Sequence, residues 1–445
     1  MLTVRNQKLL RPSLLFAVSA TMASLFPSVM YVDDYWFFGL KHLGSPIDAV
    51  AKISESNSPV YSVYLLFSIT SFIFSSTPIH FYLYFMSFLI WVMFFYTIFR
   101  IANESMKNSK VIFVGVFLLL FLLDRPSNQN IFWSTQAIGS YIQHLLPILI
   151  LFNWTIFRSG KSNRYKILLD LGIGLLLFGF PGEVLICTVL YLVYLFVREK
   201  SSGIHLPFLI AFGFFIISLN LYSDGARNRG AELNRPENLS DLLNRFFNFY
   251  EFLIVDNFVF VLLSIAVGFL LGIFIECKVT SSLIERCIIL LLSLIIAMSV
   301  VCVSAYQSIY HFIGINFLLQ AISMISGLKL AAWFCQYRDI KFGKRKLNLI
   351  TFLTIPVVVF IFAPLPQNIS WLHQQSNSFL VYAELLLNNG PQLEKIEIYT
   401  FTDSSRIGVI GPNLPKWQSY GLISLDFVDA GVEEAITLIT SKTNQ

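Results

Sequence analysis

Long apolar runs constrain the fold of this chain more than any other feature of its sequence. Residues 111–123, 137–157, 258–275 and 312–332 are apolar almost throughout. A helix needs about 20 such residues to cross the hydrocarbon core of a bilayer. The chain carries 13% charged residues, whereas soluble domains carry about 25%. The sequence therefore excludes a soluble protein and predicts a polytopic, all-α membrane protein.

The apolar pattern predicts about eleven transmembrane helices. Arg5, Lys8 and Arg11 precede the first apolar run, but a charged aromatic loop follows it in place of a small-residue cleavage site. The run is therefore interpreted as a retained first helix. The five cysteines form no CxxC pair and no Cys/His cluster, which indicates neither a disulfide framework nor a metal site. The predicted helices span 14–31, 79–100, 111–124, 137–157, 167–180, 184–197, 206–222, 252–275, 287–305, 312–333 and 347–363.

Basic residues decide the orientation of the predicted helices. Segment 59–74 is apolar, but it is short and Ser-rich. If it crossed the bilayer, the clusters around Lys107 and Arg158 would lie outside, against the positive-inside rule. We therefore predict an interfacial helix at 59–74 on the outer surface, a cytoplasmic N-terminus and an outer C-terminus. The net charge of +5 follows from this orientation and does not indicate binding to nucleic acid.

Two domains are predicted, divided where "APLPQN" ends the last helix. Residues 1–363 form a transmembrane module whose outer loop, 32–78, carries an acidic pair. Residues 364–445 are more polar and are predicted to form a small outer α/β domain. Its strands are expected at 395–401 and 422–427, where β-branched and aromatic residues are enriched.

Chemically useful side chains concentrate in the predicted outer loops. "VDDYWF" places Asp33 and Asp34 directly after the first helix, and we predict a catalytic role for this pair, with a solvated helix flank as the alternative. Aromatic residues there also fit an ordinary interfacial belt, Glu183 fits a helix-start acid, and His311 fits a packed polar residue. The candidate substrate-binding residues are Trp36, Trp133, Gln136, Tyr141, Glu183, Tyr306 and His311.

Arginines in an outer loop run against the positive-inside trend. The predicted loop 222–251 carries Arg227, Arg229, Arg235 and Arg245. We predict that Arg227 and Arg229, helped by Arg125, bind a phosphate, because guanidinium groups match phosphate oxygens in two-point contacts. Ion pairs with neighbouring acids are the alternative. There is no Gly-rich phosphate loop, Walker motif or GxSxG motif, and no cofactor or metal is expected.

The arrangement of the whole chain resembles that of the GT-C glycosyltransferases. These share a first helix, an acidic dipeptide, an amphipathic outer segment, many further helices and a terminal outer domain. "VDDYWF" and "FWSTQAIGSY" are most similar to the bacterial serotype-converting O-antigen glucosyltransferases. The resemblance implies an inner-membrane enzyme that transfers a sugar, glucose in these relatives, from an undecaprenyl-phosphate carrier to a periplasmic glycan such as lipopolysaccharide O-antigen. It implies inversion at the anomeric carbon, with Asp33 or Asp34 as the base.

Two other functions fit a chain of this composition. An O-antigen polymerase also has many helices and arginines in outer loops, but it would not need an acidic pair after the first helix. A flippase or exporter of lipid-linked sugars predicts ionisable residues at mid-membrane along a pathway. Lys329, within a predicted helix, is the candidate for such a residue.

Overall fold

The computed structural model describes residues 15–24, 45–56, 60–74, 77, 79–107, 110–124, 142–156, 164–199, 205–221, 236–304, 312–337, 395–400 and 424–429. Helices dominate this part of the chain. In order, they are α1 (Leu15–Ser24), α2 (Pro46–Ser56), α3 (Tyr61–Ile73), α4 (Ile79–Ser105), α5 (Lys110–Asp124), α6 (Ile142–Ile156), α7 (Arg164–Phe178), α8 (Gly182–Glu199), α9 (His205–Leu221), α10 (Leu239–Phe274), α11 (Ser281–Ser304) and α12 (Ile313–Tyr337).

Four of the described helices are long and apolar enough to cross a membrane. Their apolar segments are Tyr84–Ser105 in α4, Leu239–Phe274 in α10, Ser281–Val301 in α11 and Ile313–Tyr337 in α12. The protein is thus a membrane protein, and its described part is almost entirely helical. The other apolar helices are 10–17 residues long, and the predicted helix 347–363 lies outside the described residues.

Ion pairs gather several loops at one end of the bundle, which we call the Lys107 end. Met106 and Cys277 form an antiparallel bridge, and the side chain of Lys107 pairs with Glu276. Arg198, at the end of α8, pairs with Glu285 near the start of α11. The sequence groups the same loops on one side of the membrane, so these contacts agree with the predicted topology.

Helix α3 has both of its ends near the opposite end of the bundle. Its first turn binds the last turn of α7, and α8 starts from there. After Ile73, the short link 74–78 leads to Ile79, where α4 begins and from which it runs to the Lys107 end. Thirteen residues form a helix about 20 Å long, too short to cross a bilayer. This geometry agrees with the prediction that segment 59–74 does not cross.

Helix α2 precedes α3 and packs against it. Pro46 occupies its first position, and the Ser45 hydroxyl and backbone amide donate to Asp48 Oδ2 at 2.6 and 3.0 Å. The Asp48 amide donates back to Ser45 Oγ, which completes a capping box at the helix start. The Ser45 hydroxyl, followed by its amide, lowers the pKa of Asp48, so the cap is charged at neutral pH.

The centre of the bundle is an aromatic cluster on four helices. Phe317 of α12 packs against Phe94, Phe117 and Phe152 with ring centroids 5.5–5.9 Å apart. All four side chains are fully buried. Aromatic pairs at these distances prefer edge-on or tilted geometry, as found here. The cluster therefore joins α4, α5 and α6 to α12.

Helices α10 and α12 pack most closely, through small residues. A Cβ atom added at Gly268 would lie 2.3 Å from the Met324 carbonyl oxygen, and one at Gly327 would lie 2.2 Å from the Ile265 oxygen. Gly272 faces Ala331 in the same way, with 2.5 Å between the two Cβ positions. Small residues four apart let membrane helices approach backbone to backbone. The two helices therefore form a rigid pair.

The start of α10 corrects the predicted loop 222–251. The sequence predicts a helix at 252–275, but α10 begins at Leu239. The Asn238 side chain caps it by accepting from the Asp241 amide at 2.9 Å. Arg245 lies in the second turn and pairs with Asp241 at 2.9 Å. Polar residues that look like a loop thus form a helical extension, and Arg245 is a helix-surface residue.

Two described strands lie in the C-terminal part of the chain. Lys395–Thr400 (β1) and Ser424–Asp429 (β2) pair in parallel, with Lys395 opposite Ser424. They overlap the predicted strands at 395–401 and 422–427. The rest of segment 364–445 lies outside the described residues, so the predicted α/β domain stays a prediction.

Candidate functional site

Of the predicted site residues, Glu183 lies in the described part of the chain. The remaining predicted residues lie outside it: Asp33, Asp34, Trp36, Arg125, Trp133, Gln136, Tyr141, Arg227, Arg229, Tyr306 and His311. Their predicted roles therefore stay predictions.

Local sequence places Glu183 in the first turn of α8. Helix α7 ends at Phe178, and "GFPG" makes a tight turn before α8 starts at Gly182. The amides of Val184 and Leu185 donate to the Pro181 carbonyl at 2.9 and 3.3 Å. A carboxylate in the first turn is stabilised by the helix dipole. Glu183 is nevertheless 3% exposed, so it faces the protein and not the solvent.

The partner of Glu183 is His144, in the first turn of α6. Glu183 Oε1 and His144 Nδ1 lie 2.5 Å apart, and the His144 residue is 8% exposed. Burying a carboxylate without a partner is costly, and a buried acid therefore usually has a hydrogen-bond or ion-pair partner. We call this pair the Glu183–His144 dyad. It joins two helices that both start at this end of the bundle, the Glu183 end.

The dyad has the geometry of an imidazole oriented by a carboxylate. When Nδ1 carries the proton and donates to Glu183, the ring is fixed and Nε2 becomes the proton acceptor. The same pairing orients the base in many hydrolytic and transfer enzymes. Below the dyad the interior is packed, because Val184 and Cys187 on α8 and Leu145 and Ile148 on α6 are fully buried. The arrangement can hold or move a proton, or fix the two helix ends.

His144 is absent from the sequence-based predictions. The run 137–157 reads as a transmembrane helix, and His144 stands within it at "IQHLLP". An ionisable residue inside an apolar run is itself a functional signal, and that signal was available. The partner is harder to find, since Glu183 follows His144 by 39 residues and only helix packing brings them together.

A second set of buried polar side chains lines a small cavity between α5, α10 and α12. Asn257, Ser264, Asn316 and Gln320 surround it together with Leu120 and neighbouring apolar residues. Gln320 donates to the Phe117 carbonyl at 2.6 Å and Asn257 to the Leu253 carbonyl at 2.9 Å. The Gln320 bond joins α12 to α5, as amide groups between membrane helices do, whereas the Asn257 bond lies within α10.

Lys329 does not lie along a mid-membrane pathway. Its Nζ donates to Ser281 Oγ at 2.5 Å, and Ser281 starts α11 at the Lys107 end. The structure thus corrects its placement as a mid-membrane residue: the lysine reaches the bundle end, as long basic side chains near helix ends do.

Comparison with protein-family models, with curated proteins and with solved structures finds no match to this chain. Within the described residues, no group of three or more His, Cys, Asp or Glu side chains is placed to hold a metal ion.

Proposed function

We propose that this protein is an inverting glycosyltransferase that transfers glucose from an undecaprenyl-phosphate carrier to a periplasmic glycan such as O-antigen. It would work at the outer face of a bacterial inner membrane, with about eleven transmembrane helices. The observation that carries the proposal is the Glu183–His144 dyad, which is buried at the end of the bundle opposite the Lys107 end. A buried pair of an acid and an imidazole at that end, which is the predicted outer end, fits a reaction at the outer surface.

The proposed reaction divides its work between two groups of residues. Asp33, with Asp34 as the alternative, removes the proton from the acceptor hydroxyl as this oxygen attacks the anomeric carbon. The bond from that carbon to the carrier phosphate breaks, and the phosphate leaves with the electron pair. Arg227, Arg229 and Arg125 stabilise its charge. Segment 364–445, as an α/β domain, helps to hold the acceptor glycan.

The position of Lys329 favours a transferase over a flippase or exporter. A flippase or exporter predicts ionisable residues at mid-membrane along a pathway. In the described residues the lysine meets Ser281 at the Lys107 end, and the dyad lies at the other end. The buried amides between α5, α10 and α12 carry no charge. A polymerase remains the second candidate enzyme, and its acceptor would itself be a lipid-linked glycan.

To test the proposal, the protein in nanodiscs is given undecaprenyl phosphate glucose with a radiolabelled sugar, and transfer of the label to O-antigen lipopolysaccharide is measured. Asp33→Asn and Asp34→Asn are the test variants, and Glu237→Gln, an exposed acid before α10, is the control. We expect one of the two variants to lose transfer by about 100-fold or more and the control to be unaffected. Wild-type transfer by both single variants would contradict a catalytic acidic pair.

The same preparation tests the phosphate site. The double variant Arg227→Ala and Arg229→Ala should weaken binding of undecaprenyl phosphate glucose by about 10-fold or more, because two charge-assisted contacts are lost. Arg245→Ala is the matched control, since this guanidinium already pairs with Asp241 on its own helix. Equal donor affinity in the double variant and the wild type would return both arginines to a structural role.

A further inference from the structure

Helices α3 and α7 cap each other at the Glu183 end. The last four carbonyl groups of a helix and its first amide groups lack partners within the helix. Here the Tyr61 hydroxyl donates to the Leu175 carbonyl at 2.8 Å, and the Ser62 hydroxyl donates to the Leu176 carbonyl at 2.7 Å. In return, the Ser62 amide donates to the Gly179 carbonyl at 3.0 Å.

This contact takes the place of an ordinary helix cap. Val60, at the cap position of α3, makes no side-chain hydrogen bond to the helix, so a residue outside α3 satisfies the Ser62 amide. The positive end of the α3 dipole also faces the negative end of the α7 dipole, which favours the contact. The Tyr61 ring packs edge-on against Phe214 of α9, with centroids 5.6 Å apart. We call this arrangement the reciprocal cap.

A side chain at position 179 would displace the groups that make the reciprocal cap. A Cβ atom there would lie 2.1 Å from Ser62 Oγ, 2.4 Å from Tyr61 Cε2 and 2.7 Å from Tyr61 Cδ2. These atoms belong to the side chains that make the reciprocal cap. Gly182, three residues later, is a contrast, because no atom lies within 4 Å of its Cβ position. The two glycines of one turn therefore differ sharply in what they tolerate.

The reciprocal cap joins the turn before Glu183 to a segment that follows the proposed catalytic pair along the chain. On one side, Gly179 is followed by the turn that places Glu183 against His144. On the other side, α2 and α3 belong to the outer loop that begins with Asp33 and Asp34. We propose that Gly179 is a positioning residue, which fixes this outer loop against the Glu183 turn through Tyr61 and Ser62. The inference rests on the proposed transferase function and assigns a residue to its geometry.

Two measurements on the full-length protein in nanodiscs test the proposal, with Gly182→Ala as the matched control. Hydrogen–deuterium exchange of the α3 peptide that contains Ser62 reports the cap without any reaction. We expect faster exchange in Gly179→Ala and unchanged exchange in Gly182→Ala. Ser62→Ala, which introduces no clash and loses one hydrogen bond, should exchange at an intermediate rate and serves if Gly179→Ala does not fold.

Transfer kinetics decide whether the cap positions the reaction. Gly179→Ala should lower kcat by about tenfold or more with the donor KM nearly unchanged. The double variant Gly179→Ala, Glu183→Gln should have nearly the same kcat as Glu183→Gln alone. Faster exchange with wild-type kinetics would overturn the positioning role, and unchanged exchange would overturn the cap itself. Absence of transfer by the wild-type protein would overturn the proposed function and the positioning role with it, whereas the exchange data would still decide the cap.

Discussion

At the scale of single residues, two hydrogen-bonded pairs of a basic and an acidic side chain have different surroundings. The side chains of His144 and Glu183 are 9% and 4% exposed, whereas those of Lys107 and Glu276 are 53% and 55% exposed. Removing one member of a buried charged pair leaves the other member buried without that partner and typically costs about 3–5 kcal/mol. A pair in water contributes about 0–1 kcal/mol. The dyad should therefore matter for folding as well as for any reaction.

We expect His144→Leu to lower the free energy of unfolding by about 3 kcal/mol or more, because Glu183 stays buried without the imidazole. Adding Glu183→Gln should recover part of this loss, since the buried group no longer carries a charge. Glu276→Gln, the exposed counterpart, should change stability by less than about 1 kcal/mol. Denaturation in detergent micelles measures all three. Equal losses at the two pairs would contradict the role given to burial.

At the scale of helices, apolar periodicity locates the membrane segments but not their ends. The predicted helix 79–100 and the observed α4, Ile79–Ser105, share a start. The predicted 252–275 begins well after Leu239, because the first turns of α10 carry Asp241 and Arg245 and read as a loop. The cap by Asn238 was a readable signal. The dyad and the reciprocal cap could not be read, since both join segments that meet only after the helices have packed.

Helix packing also makes a prediction about glycines. Gly268→Ala should destabilise the protein by about 1–3 kcal/mol, because the new Cβ meets the backbone carbonyl of Met324 at 2.3 Å and no flexible side chain can yield. Gly115→Ala in α5 is the control, since no atom lies within 4 Å of its Cβ position; alanine favours a helix over glycine by about 1 kcal/mol. Denaturation midpoints in micelles should therefore move in opposite directions. A similar gain in stability for both variants would show that helix propensity, and not close packing, governs these positions.

At the scale of the whole molecule, helix α10 connects the two ends of the bundle. It has 36 residues, which corresponds to about 54 Å, whereas the hydrocarbon core is about 30 Å thick. Its last residue, Phe274, adjoins the bridge between Met106 and Cys277 at the Lys107 end. The first turns, with Asp241 and Arg245, therefore extend beyond the apolar layer at the other end. Charge and length together make α10 the best reporter of orientation.

The predicted orientation can be tested with one cysteine at each end of α10. In intact cells, an impermeant maleimide should label Glu237→Cys, which precedes the outer end, and should label Lys278→Cys only after permeabilisation. Both positions are exposed. Burial, followed by the neighbouring Cys335 and Glu276, raises the pKa of the native Cys277 thiol to about 12, so little of it is the reactive thiolate at neutral pH. Cys277→Ser, combined with each cysteine variant, removes any remaining labelling of the native Cys277 thiol. Labelling of Lys278→Cys in intact cells, with Glu237→Cys protected, would reverse the orientation and place the Glu183–His144 dyad on the cytoplasmic side, where a periplasmic glycan could not reach it.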